Sequence, residues 1–426
     1  MSLSDPGDPL AKLPPIVDLD DPDFDPFAGD ELSFGDTLDP YVRIGELMSQ
    51  HWVHPGQYRS FFVDWPNAAL EKYDFEYYTV FGHEKCAEIL TSPERFSSWP
   101  STLTIGTSFG RTISAMDPPE HTRYRRIFQK AFLPQTVRHW GESLVEPVVK
   151  ALLDKVVDQG RCDLIEDFTL HYPFQVIYRQ LNLPPQDIRV FHKLAISQTA
   201  YGYAPQIAIE AGRKLGDYFT AMVQARRAQP GEDLVSTLAL AEVEGERLPE
   251  EVVVSFLRQL TNAGGDTTYR GTSNLLTLLL KNPEQLEAVR QDRSLVAAAI
   301  DEGLRFEGPV IHVERQAVGQ ITIDDFTFPK GAMIDVCEGS ANRDPAVFPD
   351  PNTFNIYRDR VGPRAMSFAT GPHICIGQHL ARVEMGRALN AILDRLPRMR
   401  LDPDRPAPEI RGFDLRTPKH LYVRFD

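Results

Sequence analysis

The sequence predicts a mainly α-helical protein with a minor β part, folded as one large domain. Stretches with a helical apolar stripe dominate from about Pro118 to the C-terminal end, whereas strand-like runs are short and few. The chain has 426 residues, which is long enough to bury a sizeable core. No repeat and no low-complexity linker interrupts it, so we expect residues 36–426 to form a single unit.

The elements follow from local composition and periodicity. Helices are predicted, in chain order, over Pro118–Ala131, Glu142–Val157, Ile207–Arg226, Pro249–Leu280, Ser294–Phe306 and Ile376–Leu396. Strands are predicted where aromatic and β-branched residues cluster, over Arg59–Val63, Tyr77–Phe81, Val310–Val318, Ile321–Ile323 and His420–Phe425. Residues 1–35 are expected to form an extended, proline-rich acidic arm, because they carry nine acids and one lysine.

The composition argues against several classes of function. A net charge of −15 argues against nucleic acid as a general partner. No apolar run approaches the ~18 residues that a membrane span needs. The acidic start from Asp5 to Glu31 lacks the apolar segment of a signal peptide. Four cysteines at wide, irregular spacing do not form a disulfide framework. We therefore expect a cytoplasmic monomer that binds neither nucleic acid nor membrane.

The helix predicted from Pro249 to Leu280 is weak at its centre. Proline suits a first helical position, and Glu250 and Glu251 complement the positive end of the helix dipole. The middle reads AGGDTT (263–268), where each glycine costs about 1 kcal/mol relative to alanine. This pattern predicts a local opening or bulge that lets a small ligand approach the helix. A harmless kink is the other interpretation, and no phosphate-binding glycine motif is present.

A lone cysteine stands in SFATGPHICIGQHLAR (367–382), just before a predicted helix. One interpretation of Cys375 is a small, buried apolar side chain. Zinc is a second, since His373 and His379 lie nearby, but no further ligand pair accompanies them. In the third, the helix dipole and free N–H groups stabilise a thiolate, and glycines on both sides let the loop approach a large, flat ligand. A thiolate ligand of haem iron requires these features.

FATGPHICIG resembles the haem-ligand loop of the cytochrome P-450 family, of pattern FxxGxxxCxG. Four further motifs occur in the family's order between about residues 40 and 425. AGGDTT resembles the oxygen-activating segment of the long central helix, and EGLR (302–305) resembles the ExxR helix. NRDPAVFPDPNTFNIYR (342–358) resembles the meander that follows, and DPPEHTRYRR (117–126) the helix that holds the haem propionates. The resemblance implies a large helical domain with small sheets, in which haem lies between the long central helix and the helix after the cysteine loop.

The resemblance also implies roles for individual residues. Cys375 matches the thiolate ligand of haem b iron, Phe368 the ring that shields its sulfur, and Gly377 the second glycine of the cofactor-binding loop. The matches to the groups that hold the haem propionates are His121, Arg125, Arg315 and His373. Asp266 and Thr267 match the acid–alcohol pair that delivers protons to dioxygen. A buried ion-pair triad that braces the cysteine loop is implied for Glu302, Arg305 and Arg358.

The implied reaction is haem-thiolate monooxygenation, in which one oxygen atom from O2 enters a small, mainly apolar substrate of terpenoid, aromatic or steroid-like type. The residues expected to line the substrate pocket are Trp99, Ala263, Gly264, Val310, Ile311 and Phe413. Val310 and Ile311 are apolar, whereas Ser97–Thr107 adds hydroxyl groups, so we expect a mainly apolar pocket with a few polar anchors. His312 is either a polar contact for the substrate or a strand histidine that faces away from the pocket.

Electrons are expected from a separate partner, since no flavin- or iron–sulfur-binding segment follows Phe425. Relatives of this kind use an acidic ferredoxin or flavodoxin, which a basic patch formed by Arg123, Arg126 and Lys130 would attract. The alternative function is a haem-binding sensor or electron carrier without turnover. The intact Asp266–Thr267 pair argues against that alternative.

Overall fold

The computed structural model describes residues 8–359 and 364–426, so the first seven residues of the predicted arm and residues 360–363 lie outside the described part. The α-helices, numbered in chain order, are α1 Asp30–Phe34, α2 Pro40–Gln50, α3 His83–Leu90, α4 Gly106–Phe109, α5 Glu120–Ala131, α6 Pro134–Trp140, α7 Glu146–Leu153, α8 Tyr172–Gln180, α9 Ile188–Ser197, α10 Pro205–Ala228, α11 Leu234–Ala239, α12 Glu250–Ala263, α13 Asp266–Lys281, α14 Pro283–Gln291, α15 Val296–Phe306, α16 Glu338–Asn342 and α17 Gln378–Arg395.

The strands are short. They are β1 Val53–Pro55, β2 Tyr77–Val80, β3 Phe96–Ser97, β4 Arg161–Asp163, β5 Glu242–Val243, β6 Glu246–Arg247, β7 His312–Ala317, β8 Ile321–Ile323, β9 Phe326–Phe328, β10 Met333–Cys337, β11 Arg400–Leu401, β12 Ile410–Arg411, β13 Thr417–Pro418 and β14 Tyr422–Arg424. The prediction of a mainly α fold with small sheets is therefore confirmed.

One predicted strand is wrong. Tyr58–Phe61 form a 3-10 turn where the sequence predicts a strand over Arg59–Val63. The N–H of Tyr58 donates to the Asp335 carboxylate at 2.7 Å, and its hydroxyl donates to the carbonyl of Phe413 at 2.8 Å. These two distant contacts hold the segment against the sheet as a turn. Sequence reasoning also missed several helices, among them α2, α8 and α9.

The largest sheet has five strands in the order β1-β2-β10-β7-β3. Strands β10 and β7 are antiparallel, with Asp335 opposite Glu314 and Ile334 opposite Arg315. Residues directly opposite each other in such a pair project to the same face of the sheet. The register therefore brings two carboxylates together on one face and leaves Arg315 on the other.

Two large apolar cores flank the centre of the molecule. The first contains Val253 and Leu257 of α12 together with α8 and α10. The second contains Leu275 and Leu279 of α13 together with α7, α15 and α17. The predicted long helix thus runs from one core to the other, and its break at residues 264–265 lies between them, as the sequence predicts.

The acidic arm is packed onto the helices from Leu10 onward. Leu10, Ile16 and Leu19 are buried in the first core. Asp8 accepts two hydrogen bonds from Arg226 of α10, and Asp20 forms an ion pair of 2.9 Å with Lys214 of the same helix. Within the described residues, no helix combines the length and the apolar character needed to cross a membrane.

Candidate functional site

A cavity of about 480 Å³ lies where the break in the central helix faces the loop that precedes α17. Ala263, Gly264 and Thr267 line it from the helix break, and Phe368 and Cys375 line it from the loop. Strand β7 and the segment around Phe413 complete the wall. The two stretches that the sequence singles out, AGGDTT and the cysteine loop, therefore meet at one cavity.

The cysteine loop is held in a tight, specific shape. The N–H of Cys375 donates to the carbonyl of Phe368 at 2.8 Å, and Arg125 donates to the carbonyl of Ile374. Gly371 has φ of 73°, and a Cβ at this position would lie 2.3 Å from the carbonyl oxygen of Leu90. Only glycine fits there, because the backbone of α3 is in direct contact.

Cys375 alone among the four cysteines is open to a cavity. Cys86, Cys162 and Cys337 are buried within the apolar cores, whereas the Cys375 side chain is accessible from the cavity although protein surrounds it. Burial raises the pKa of the Cys375 thiol, while the N–H of Gly377 and the charge of Arg125 act to lower it. A cation bound at the sulfur would add to those two stabilising contacts of the thiolate.

Four basic or N–H-bearing side chains converge beside this thiol. Arg125 comes from α5, Arg315 from β7 and His373 from the cysteine loop, and all three line the cavity. The ring of His121 lies 4.0 Å from that of His373. His373 also contacts the hydroxyl of Ser98 through its Nε2, at 3.0 Å. These are the four residues that the resemblance to the family implies for holding the haem propionates, and the fold places them close together.

The electrostatics of these four groups favour an anion. Burial lowers the pKa of His373 to about 2, with Arg315, His121 and Arg125 adding to the effect. Burial, and then Arg125, lower the pKa of His121 to about 4. Both ring nitrogens of His121 are buried without a hydrogen-bond partner, and within the described residues neither arginine forms an ion pair with a carboxylate. Carboxylates of a bound ligand would satisfy these groups.

The break in the central helix opens onto the same cavity. Gly265 donates to the carbonyl of Asn262 at 3.0 Å, a tightened turn. The Thr267 hydroxyl lines the cavity and donates to the carbonyl of Ala263 at 2.9 Å. A Cβ on Gly264 would lie 2.7 Å from Ile177, and one on Gly265 only 2.4 Å from Phe174. The glycines thus let the break pack directly against α8.

Asp266 points away from the cavity that Thr267 lines. Its carboxylate is buried and accepts a hydrogen bond of 3.0 Å from Nε of Arg270, one turn further along α13. The two members of the predicted pair are neighbours in sequence, but only the hydroxyl faces the cavity. Any passage of protons from Asp266 into the cavity therefore requires its side chain or a water chain to move.

Glu384 is a buried acid that sequence reasoning missed. It lies on α17, lines the cavity and is hydrogen-bonded to Thr268, while its Oε1 has no partner among the described residues. Burial raises the pKa of Glu384 well above the ordinary value of a glutamate, which favours the protonated carboxyl. The signal in the sequence is a glutamate on the apolar stripe of α17, four residues from both Leu380 and Ala388.

The cavity wall differs in part from the predicted substrate pocket. Ala263, Gly264, Val310 and Phe413 line the cavity. Trp99 does not, because it lies in a 3-10 turn, 39% exposed, with its ring edge-on to Phe75. Ile311 does not line it either, because its side chain is fully buried beneath the sheet against Gly339.

Part of the cavity wall is charged, although most of the lining is apolar. In addition to Arg125, Arg315 and Glu384, the charged lining residues are Arg59, His312, Glu314, Asp335, Glu338 and Asp414. Of this second group, sequence reasoning identifies only His312. The acids escape detection because strand register and loop contacts, rather than local spacing, bring them into the cavity.

The predicted ion-pair triad is assembled behind the cysteine loop. Arg305 donates two hydrogen bonds of 2.8 Å to the two oxygens of Glu302, and Nε of Arg358 donates to the same carboxylate at 3.1 Å. Arg305 also donates to the carbonyls of Asn342 and Pro351. The triad therefore fixes α15 to the chain segment that leads into the cysteine loop.

The three basic residues suggested for partner docking differ in their surroundings. Arg126 and Lys130 are exposed and four residues apart, which puts them on one face of α5. Arg123 is half-buried and lies 3.4 Å from Glu244 and 3.9 Å from Glu246, on either side of the β5–β6 turn. Arg126 and Lys130 thus carry the available charge of this patch.

Comparisons with known proteins agree with this site. The family model described as cytochrome P-450 matches residues 202–423. The cytochrome P-450 monooxygenase PikC of Streptomyces venezuelae is 32% identical over 355 residues, covering 79% of this chain and 83% of that protein.

Solved structures show the same fold over almost the whole chain. The bacillaene polyketide synthase cytochrome P-450 PksS of Bacillus subtilis superposes with a TM-score of 0.81 at 27% identity, covering 95% of this chain and all of that one. CYP109E1 of Bacillus megaterium, in complex with testosterone, has a TM-score of 0.78 at 27% identity and covers 91% and 99% of the two chains. By its family model, its relatives and its fold, the chain belongs to the cytochrome P-450 family of monooxygenases, which bind haem b through a cysteine thiolate.

Proposed function

We propose that this protein binds haem b through the thiolate of Cys375 and inserts one oxygen atom from O2 into an organic substrate held in the cavity. The observation that carries the proposal is that Cys375 is the one cysteine open to the cavity. When bound, thiolate-ligated haem supplies the activation of dioxygen, for which the thiolate donates electron density. The overall reaction consumes one O2, two electrons and two protons, and yields the oxygenated product and water.

The residues around the cavity fit haem. Its propionates would accept hydrogen bonds from Arg125, Arg315, His121 and His373. Among the described residues, both ring nitrogens of His121 are without a hydrogen-bond partner. Phe368 lines the cavity beside the thiol, and Arg382 lies 4.4 Å from the centre of its ring on the other side. Gly377 leaves room for close approach, since a Cβ there would lie 3.9 Å from the sulfur of Cys375.

Thr267 and Asp266 would manage protons for this reaction. The Thr267 hydroxyl faces the cavity and can donate a hydrogen bond into it once its contact with the Ala263 carbonyl is released. Asp266 would relay protons to this position from its buried pair with Arg270. A positioned hydroxyl and a carboxylate behind it are the groups that proton transfer requires.

The substrate proposed here is a mainly apolar carbon skeleton of terpenoid, aromatic or steroid-like type. Ile113, Ile177, Phe256, Leu260 and Val310 form an apolar wall beside the helix break, which supports this class. The relative solved with testosterone, at 27% identity, supports a molecule of comparable size.

A separate acidic ferredoxin or flavodoxin would supply the electrons. Arg126 and Lys130 are exposed on α5, and Arg125 on the same helix contacts the cysteine loop through the carbonyl of Ile374. A local positive patch on a protein of net charge −15 attracts an acidic partner to this face.

The proposal is tested by replacing Cys375, the proposed ligand of the haem iron. Cys375→Ser is expected to abolish the red-shifted absorption band that the reduced haem protein shows with carbon monoxide, called here the carbonyl band. An alcohol does not replace a thiolate as the electron donor to iron. Cys337→Ser is the matched control, since Cys337 is fully buried outside the cavity and the band should persist. A Cys375→Ser protein that kept the thiolate band would overturn the assignment.

A further inference from the structure

One part of the cavity wall carries charged side chains, whereas another part is apolar. Nδ1 of His312 lies 3.0 Å from Oδ1 of Asp414. Glu314 and Asp335 line the cavity close by, on β7 and β10. Oε2 of Glu314 accepts a hydrogen bond of 3.2 Å from Thr104, and Oδ2 of Asp335 accepts one from the N–H of Tyr58. Within the described part of the chain, one oxygen of Glu314 and one oxygen of Asp335 thus accept a hydrogen bond.

Glu314 and Asp335 are directly opposite each other across the β7–β10 ladder. Like charges at such positions repel, and the buried surroundings strengthen the repulsion. Burial and then Asp335 raise the pKa of Glu314 to about 7, and burial likewise raises that of Asp335. A positive charge between the two would remove this unfavourable interaction.

The nearby basic groups offset the repulsion only in part. The charge of His312 acts to lower the pKa of both acids and that of Arg59 acts on Asp335, yet the pKa of each acid stays raised. His312 is paired with Asp414. Burial acts to lower the pKa of His312, but the charge and the hydrogen bond of Asp414, together with the charges of Asp335 and Glu314, raise it to about 9. Arg59 lies 5.7 Å from the centre of the Phe413 ring, and its Nε and Nη2 have no hydrogen-bond partner. Within the described residues, neither Glu314 nor Asp335 forms an ion pair with a basic side chain.

In this group of five side chains, carboxyl groups outnumber basic groups. Asp414, Glu314 and Asp335 are three carboxyl groups, whereas His312 and Arg59 are two basic groups, so a cationic ligand would allow Glu314 and Asp335 to ionise together. All five side chains line a cavity whose other wall is made of Ile113, Ile177, Phe256, Leu260 and Val310. A ligand that fits both walls carries a positive charge at one place and apolar surface elsewhere.

We propose that the substrates of this protein carry a protonated amine on an apolar body, with the ammonium group held between Glu314 and Asp335. This inference rests on the proposed monooxygenase function, because it treats the cavity as the substrate pocket. Thr104 orients Glu314, and the Tyr58 N–H orients Asp335, so both acids are held in position before a ligand arrives. The amine selects the substrate and is not itself a reacting group.

The test compares three probes with the same phenylbutyl body on haem-loaded protein. The cation is 4-phenylbutyltrimethylammonium, which has no lone pair and so cannot ligate iron. The neutral probe is its isostere with carbon in place of nitrogen, and the anion is 5-phenylpentanoate. Calorimetry gives each dissociation constant without any turnover. The cation is expected to bind about 10-fold or more tightly than the neutral isostere, a difference of about 1.4 kcal/mol.

Variants assign the preference to the acidic pair. Glu314→Gln keeps the hydrogen bond with Thr104 and removes the charge, and Asp335→Asn keeps an acceptor for the N–H of Tyr58. Each should reduce the preference for the cation to less than about 3-fold while the neutral isostere binds as before. Glu71→Gln removes one exposed acid next to the cavity-lining Leu70, and the preference should persist.

Three results would overturn the inference: equal binding of cation and neutral isostere, tighter binding of the anion, or a cation preference retained in both Glu314→Gln and Asp335→Asn. The proposed function fails independently, through the absence of a thiolate-type carbonyl band, which is measured without any probe. If the protein shows that band but no preference for the cation, the proposed monooxygenase function stands and the inference of an amine substrate is rejected.

Discussion

Arg305 donates two parallel hydrogen bonds of 2.8 Å to the carboxylate of Glu302, with both side chains almost completely buried. If one partner of such a buried, bidentate pair is removed, the other is left as a buried charge without compensation, and the folded state is destabilised. Arg358 completes the arrangement from the segment ahead of the cysteine loop.

Arg305→Ala is expected to lower the free energy of unfolding by about 3–5 kcal/mol and to give haem-poor protein, because Glu302 is left as a buried, partly unpaired charge. Urea unfolding and the haem content of the purified protein measure the two effects. Arg213→Ala is the control, since its pair with Asp217 is exposed and contributes about 0.3–0.5 kcal/mol. Equal effects in the two variants would contradict a bracing role of the triad.

Thr267→Ala tests the hydroxyl at the helix break. Substrate should still bind, because the cavity keeps its size and apolar character. Orderly proton delivery is lost, so the yield of product per reductant consumed should fall about 10-fold or more and hydrogen peroxide should rise in proportion. Reductant, peroxide and product are measured together. Thr277→Ala, on the same helix but outside the cavity, should leave the coupling as it is.

Asp266→Asn tests the carboxylate behind that hydroxyl. Turnover is expected to fall by about 10²–10⁴-fold, the contribution typical of a positioned proton-transfer group, while the product per reductant stays near the wild-type value. Steady-state rates and a solvent isotope effect measure this. Because Arg270 loses its charged partner, unfolding is measured alongside. A normal rate in folded, haem-loaded protein would remove Asp266 from the proton path.

Arg126→Glu and Lys130→Glu test the proposed docking face. Each should slow reduction by an acidic ferredoxin about 10-fold or more at low salt, with a smaller effect at high salt, because steering acts through long-range charge. Arg189→Glu makes the same change of charge at an exposed position of α9 and should have little effect. Similar slowing in all three variants would mean that net charge, rather than this face, controls the reaction.

The pair between His312 and Asp414 predicts a pH dependence of stability. The folded-state pKa of His312, about 9, lies above its ordinary value of 6.5, so the stabilisation is fully present below about pH 6.5 and is lost as the pH rises through about 9. The advantage of the wild type over His312→Gln in unfolding free energy should therefore be about 3 kcal/mol at pH 6 and close to zero at pH 10. An advantage that does not change with pH would contradict the ion pair.

The parts of the site that could be predicted from the sequence are those set by local spacing. The loop around Cys375 and the break at Gly264 and Gly265 depend on glycine positions and helix ends, which a short stretch of sequence records. The triad also belongs here, because Glu302 and Arg305 share one helical turn. Their roles in catalysis and cofactor binding stay predictions.

The parts that could not be predicted depend on contacts between distant segments. Glu314 meets Asp335 only through the register of β7 and β10, about which neither strand's own composition carries information. Tyr58 lies in a turn because Asp335 and Phe413 bind its N–H and hydroxyl from far along the chain. The resemblance to the family predicts Trp99 as a pocket residue, yet Trp99 lies in a 3-10 turn, partly exposed, with its ring against Phe75.

The close packing of Gly264 and Gly265 on α8 limits how this protein can be engineered. Because Ile177 and Phe174 would lie 2.7 and 2.4 Å from an added Cβ, any side chain at Gly264 or Gly265 requires these two residues of α8 to move. Substitutions at the helix break therefore alter the packing of α8 as well as the cavity. New substrate preferences are accessible instead through the wall residues Ile113, Val310 and Phe413, where side chains already meet the cavity and can be exchanged for others.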